Sequence, residues 1–433
     1  MPKKQLIAHL RFSLGFLAMA SVFVPLEFYG ADFGSAHSVE EARRQHSRLP
    51  TDDIWWTVNG KDMAWNFKNL HQIFPTVNVY RSGPVKNLRS DINENIARHP
   101  VQTPVGAIPF ARFIESEHST AMGVVILHQG RIAFESYPRM QAHEKPIYWS
   151  VAKVLVGTMI RILEERGQIN VSEPIERYLP ELTGSVLAGT AVRHILDMAS
   201  GLDCGDDYEN IDSCYYRYSV SIGDGFTKTN KRQDPYQFVS TLKAERQNAP
   251  GKQFSYSGLN TFVLTWLVEK ITDMPFHDAL TKEIWWHLGA ESDASFIAPT
   301  QGIPITHGGF LSRMRDLARF GLLFTPSSGL LTNKSIITPS HNDFLFTQGD
   351  PELLKNSGLG YLLENGVKHN IYQWDAVHDN GTLFKGGWAG QGLIVNPQWD
   401  LVAVFTSYHK DDKHSEIPLT PVIFEMLNSL YGS

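Results

Sequence analysis

Charge is scarce in this chain, and so is cysteine. Of 433 residues only 19% are Asp, Glu, Lys or Arg, and 45 acids against 39 bases leave a formal charge of -6. So mild a balance builds no field for a polyanion, which excludes nucleic acid as a partner. There are two cysteines, and without a further Cys or His at the usual spacings they make no zinc site. Beyond the N-terminus no run is long and apolar enough to span a bilayer. Four motifs are missing as well: G-x-S-x-G, H-E-x-x-H, G-x-x-x-x-G-K-[ST], and a G-x-G-x-x-G opening a helix after a strand. Readings as an α/β-hydrolase, zinc peptidase, NTPase or dinucleotide enzyme weaken accordingly. The sequence calls for no metal and no cofactor, and it leaves the oligomeric state open.

What the chain does have is apolar mass. Hydrophobic residues make up 42%, with ten Trp, fifteen Tyr and twenty-four Phe. That is enough to bury a large core, in two or three domains or one elaborate one. At the N-terminus Lys3, Lys4 and Arg11 precede an apolar stretch from Phe12 to Leu26, followed by Gly34, Ser35 and Ala36. This is the layout of a secretory signal over 1–36, cleaved near Ala36, with an uncleaved anchor as the alternative. The expected location is periplasmic or secreted, with membrane contact only through such an anchor. Cys204 and Cys214 lie in a Gly-, Asp- and Asn-rich stretch. In an exported protein they form one disulfide, the alternative being two free thiols.

Residues 37–109 are polar and punctuated and form an N-terminal extension in which nothing suggests chemistry. Met122 to Tyr137 reads as two strands turned at Gln129 and Gly130. Ser150 to Arg166 has apolar positions at helical spacing and is stopped by Gly167, so Ser150 starts a helix. Further helices are expected at Asn260–Ile271, Phe276–Trp286, Met314–Leu323 and around Thr420–Leu430, with strands at Gly392–Val395 and Leu401–Ser407. Strands at both ends around a helical middle make an α+β arrangement. The sheet comes from 110–149 and 360–433, and the helical part spans about 150–345.

The spacing S-x-x-K occurs at Ser150–Lys153, Ser240–Lys243 and Ser407–Lys410. Only the first pair starts a buried-looking helix, where a three-residue step stacks hydroxyl and amine on one face. Taken alone, Ser150 is as readily an N-cap and Lys153 a solvated side chain. The surrounding blocks SVAKVLVGTMIRILEERGQIN, AVRHILDMASGL, FSYSGLNTFVLTWLVEKITDMPF, GGFLSRMRDLARFGLLF and KGGWAGQGLIVNP change that. In this order they resemble the serine β-lactamase and penicillin-binding-protein superfamily, in the branch of class C β-lactamases, family VIII esterases and 6-aminohexanoate-dimer hydrolases. The resemblance runs from about Phe110 to the C-terminus, giving a hydrolase domain at 110–433. It implies a β-lactamase/transpeptidase-like fold, an antiparallel sheet with flanking helices plus a mostly helical subdomain.

The same resemblance implies that Ser150 is acylated, that Lys153 is its base partner and that Tyr256 shares the proton traffic. It places Lys385, Gly386 and Gly387 in the third motif on the strand edging the site, and makes the oxyanion hole from the backbone N–H groups of Ser150 and Trp388. A phenolate at Tyr256 is expected to be favoured by Lys153 and Lys385. Gly258 stands where the lactamases carry an asparagine, and Gly386 replaces a threonine that helps bind a substrate carboxylate. Those two losses imply weak or no β-lactamase activity and a small ester, amide or peptide-like substrate. The tyrosines of Asp203–Tyr218, Tyr215 among them, are expected to rim the pocket. Two other readings stand beside this one: a non-catalytic protein binding a cell-envelope ligand, and a Ser-His-Asp hydrolase, which has no motif behind it.

Overall fold

A computed structural model of the protein describes residues 58–225 and 232–432, with isolated positions at 38, 40, 43 and 44. The proposed signal segment, 1–36, lies outside them. The frame is a seven-stranded sheet in which every neighbouring pair is antiparallel. Its order is Arg131–Ser136, Gly123–His128, Leu401–Thr406, Gln391–Asn396, Leu383–Gly387, Trp374–His378 and Val367–Ile371. The fold is thus α+β, and one sheet is built from the two ends of the domain. The expected hairpin forms at Gln129 and Gly130, both left-handed, as a tight turn between twisted strands requires.

Alternation along the strands explains why these segments read as unbroken apolar runs. Val125, Leu127, Val402 and Val404 face the main core, whereas Val124, Ile126, Ala403 and Phe405 face a second core under the C-terminal helix Leu419–Tyr431. Successive side chains of a strand point to opposite faces, and here both faces are covered. The helix Met314–Leu322 packs on the main-core face, where Gly321 lets it approach the sheet: a Cβ there would lie 2.6 Å from Val402.

Three expectations change in the structure. The described part of the N-terminal extension, residues 58–109, contributes to the main core, because its helix Gly60–Ile73 buries Met63, Phe67 and Leu70 there. Its strand Thr76–Val79 also pairs with Ala294–Ile297, which in turn pairs with Phe310–Leu311. Two strands of that second, three-stranded sheet, Ala294–Ile297 and Phe310–Leu311, lie inside the stretch expected to be helical. Finally, Ser150 sits not in an α-helix but in a 3₁₀ turn, Trp149–Ala152, that leads into the helix Lys153–Glu165.

That helix is buried along most of its length and carries Gly157 against the backbone of the sheet, where a Cβ would fall 2.1 Å from the Tyr372 carbonyl oxygen. Helix propensity alone favours alanine there by about 1 kcal/mol. The clash is with main chain and outweighs it: Gly157→Ala is expected to destabilise the fold by about 1 to 3 kcal/mol, read by urea unfolding.

Candidate active site

Of the three S-x-x-K pairs only one forms a bonded unit. Ser407 is buried and shares a hydrogen bond with Thr120, while Ser240 and Lys243 each turn to a backbone carbonyl. Lys153 Nζ lies 3.0 Å from Ser150 Oγ and 2.7 Å from the His307 carbonyl oxygen. The turn geometry explains the contact, since three residues per turn in a 3₁₀ helix eclipse positions i and i+3.

Tyr256 closes the set from a segment a hundred residues away. It ends the irregular stretch before the helix Gly258–Thr272 and hydrogen-bonds to the Ser150 side chain. Two lysine amines approach its ring, with Lys153 Nζ and Lys385 Nζ each 4.8 Å from the centroid. Lys385 Nζ also donates to the Tyr256 hydroxyl at 3.1 Å. Serine, lysine, tyrosine and a second lysine therefore form one connected chain.

Burial sets the charges in that chain. Lys153 is withdrawn from water, and this, helped by the repulsion of Lys385 against the opposing pull of Asp206, lowers its pKa to about 7. Lys385 is lowered too, again by burial, with Asp375 acting in the other direction. Tyr256 moves opposite to the sequence expectation: burial first, then the carboxylates Asp375 and Asp206, hold it well above its ordinary value. The two lysines do not yield a phenolate at neutral pH, because burial first, and the nearby carboxylates second, disfavour its charged form. Near pH 7 the group able to accept a proton is the amine.

Strain is concentrated one residue before the serine. Trp149 has a φ of 49°, a left-handed conformation that costs a bulky residue of order 1–3 kcal/mol. Its indole meets Phe67 and Trp388 edge-on, with centroids 5.5 and 5.7 Å away. The supposed extension thus supplies a ring that holds the serine turn. The strand Leu383–Gly387 comes close to the same turn only because residue 387 has no side chain: a Cβ would lie 2.3 Å from the Tyr148 carbonyl oxygen. Beyond it, Gln391 donates to the carbonyls of Trp388, Ala389 and Ser407, fixing the turn that presents the Trp388 backbone.

These groups open into a cavity of about 830 Å³. Ser150, Lys153, Tyr256, Gly386, Gly387 and Trp388 line it. Tyr215 does not. It is fully buried behind the rim, its hydroxyl 2.9 Å from that of Tyr208, and Tyr208 is the ring that reaches the cavity. The loop carrying Tyr208 is closed by the disulfide Cys204–Cys214. Gly258 is also buried: its N–H donates to Asp206 at 2.7 Å, and a Cβ would meet the Tyr215 hydroxyl at 2.6 Å. Where the resemblance placed an asparagine, the structure leaves no room for a side chain.

Several lining residues were not foreseen. Asp206, Glu209, Asp224 and Asp375 bring four carboxylates to the wall, whereas Leu354, Leu359 and Leu362 with Phe254 make it apolar on one side. His307 is held by the Tyr218 hydroxyl at 3.1 Å and Asp224 at 3.4 Å, so its ring is turned to partners other than the serine. Of these, Asp206 and Glu209 had a legible signal, their place within the Asp203–Tyr218 stretch expected to rim the pocket. Among the described residues no cluster of His, Cys, Asp and Glu is arranged to hold a metal ion.

A hydroxyl poised between an amine and a phenol at the bottom of an open cavity is equipped for acyl transfer, and with this fold it defines the class of serine hydrolases built on S-x-x-K. The chain belongs to the β-lactamase family, which it matches over residues 110–425. A 6-aminohexanoate-dimer hydrolase of Paenarthrobacter ureafaciens is 26% identical over 364 residues, covering 84% of this chain and 89% of that protein. A Bacillus anthracis protein assigned as a 6-aminohexanoate-dimer hydrolase superposes with a TM-score of 0.74 at 20% identity, over 89% of this chain and 97% of the other. EstCE1, a hydrolase with promiscuous acyltransferase activity, superposes with a TM-score of 0.58 at 16% identity, over 74% and 96%. These two structural likenesses concern the fold.

Proposed function

We propose that the protein hydrolyses a small ester or amide through an acyl-Ser150 intermediate, with little or no β-lactamase activity. The observation that carries this reading is the connected set Lys153–Ser150–Tyr256–Lys385 at the cavity floor. Lys153, deprotonated near pH 7, takes the Ser150 proton as the hydroxyl attacks the carbonyl carbon. The oxyanion is received by the backbone N–H groups of Ser150 and Trp388. Tyr256, a neutral phenol, passes its proton to the departing oxygen or nitrogen and is reprotonated by the ammonium of Lys153, which thereby hands on the proton taken from Ser150. In the second half Lys153 takes a proton from the attacking water, the acid is released, and that proton returns to the Ser150 oxygen.

The apolar residues of the cavity wall suit a short hydrocarbon chain, and its carboxylates suit a neutral or cationic end. The relative named as a 6-aminohexanoate-dimer hydrolase supports a substrate joined by an amide bond. Export belongs to the reading as well: a disulfide supports an oxidising compartment, and no helix among the described residues is long and apolar enough to cross a membrane.

The test is labelling with a fluorophosphonate, located by peptide mass spectrometry, followed by rates on 4-nitrophenyl acetate and butyrate, nitrocefin and the linear 6-aminohexanoate dimer. The expected result is a label on Ser150 and ester or amide rates well above nitrocefin. A protein without Ser150-dependent labelling is a binder. The pH profile follows from the lysine: its lowered pKa makes kcat/KM rise through an acid limb near pH 7. A limb displaced to pH 9 or above would reject Lys153 as the base.

A further inference from the structure

Lys385 is fully buried, and the acceptors it has are Tyr256 and the Asp375 carboxylate. The second oxygen of Asp375 accepts the backbone N–H of Gly386 at 2.9 Å. One carboxylate thus covers both an ammonium and a main-chain donor on the wall of the cavity. It also forms the outer face of the pair: the Asp375 side chain is 32% exposed and lines the cavity, whereas that of Lys385 is 0% exposed. Asp375 comes from the neighbouring strand Trp374–His378, so its position is set by the sheet and not by a mobile loop.

From this geometry we propose that Asp375 is an internal carboxylate that occupies the anion site formed by Lys385 and the Gly386 N–H, and so makes the enzyme select against substrates carrying a negative charge. An incoming anion must displace a tethered carboxylate, whose effective concentration is high, and must do so in a cavity that Asp206, close enough to act on Lys385, also lines. Gly386 leaves the corner without a side-chain donor for an anion to use instead. The inference concerns specificity at the proposed catalytic site and rests on that reading.

Asp375→Ala and Asp375→Asn test it. Each is compared with wild type on 4-nitrophenyl butyrate and on the anionic 4-butyryloxybenzoate, taking the ratio of the two kcat/KM values so that leaving-group differences cancel between variants. The expected result is a rise in the anionic-to-neutral ratio of about tenfold or more, shrinking as salt is added. The asparagine side chain keeps an acceptor for the buried ammonium, so the test survives an alanine variant that does not fold. Benzoate affinity, measured by calorimetry, is the arm that needs no turnover: it is expected to rise in the variants about tenfold. A ratio and a benzoate affinity both unchanged within about twofold would overturn the proposal while leaving Ser150 chemistry intact. A wild type unreactive to the fluorophosphonate, with variants that still gain benzoate binding, would instead overturn the catalytic reading and keep the anion site.

Discussion

Ser150→Ala is expected to lower kcat/KM on the best ester by about 10⁴-fold or more and to remove fluorophosphonate labelling entirely. The loss should fall on kcat, because the hydroxyl makes its decisive bond in the transition state and little in the bound substrate. What remains measures the two backbone donors and the cavity acting on a water molecule. The substitution should hardly disturb the fold. Ser150 is only partly buried, the turn around it is held by Trp149 between Phe67 and Trp388, and those rings are untouched. A variant retaining more than about a hundredth of the wild-type rate would show that another group carries the reaction.

Lys153→Met should separate activity from stability. Loss of the base is expected to reduce kcat/KM by about 10³-fold, within the range a positioned proton acceptor contributes. Stability should move the other way. The buried amine has a folded-state pKa of about 7 against an ordinary value of 10.5. Below pH 7 both states are protonated and the penalty for burying the charge is complete. As pH rises from 7 towards 10.5 the native state is already neutral while the unfolded chain still binds the proton, so wild-type stability recovers across that window. At one pKa unit per 1.36 kcal/mol the penalty is at most roughly 5 kcal/mol. The lost donor to His307 and Ser150 offsets part of it, leaving an expected gain for the variant of about 1 to 3 kcal/mol at pH 6. Urea unfolding at pH 6 and pH 9.5 reads this directly: the advantage of Lys153→Met should be larger at the lower pH. A variant less stable than wild type at both would mean that the amine is held in the core by bonding stronger than its desolvation.

Much of the frame was legible in the chain because local rules decide it. The hairpin at Gln129 and Gly130, the helices Gly258–Thr272 and Met314–Leu322 and the late strands follow from side-chain periodicity and turn residues within short windows. The pairing of Ser150 with Lys153 was legible too, since a three-residue step is a local distance. The segment 37–109 was misread for the converse reason. Phe67 gains its role from Trp149 and Trp388, which lie more than eighty positions away, and no window in the sequence contains both partners. Tyr215 was misplaced because the stretch was read as a rim, whereas Tyr215 lies in the helix Cys214–Ile222 and its hydroxyl meets a second tyrosine, Tyr208, instead of the cavity.

By itself the sequence determined the kinds of element, their order, and the pairing of the Ser150 hydroxyl with the Lys153 amine, because those depend on neighbours along the chain. The tertiary structure alone decided the protonation states and the charge of the site. Burial of Lys153, the carboxylates that keep Tyr256 a phenol, and the Asp375 that covers Lys385 arise where distant strands meet. Desolvation and Coulomb forces act through space, and so they are fixed only once the chain has folded.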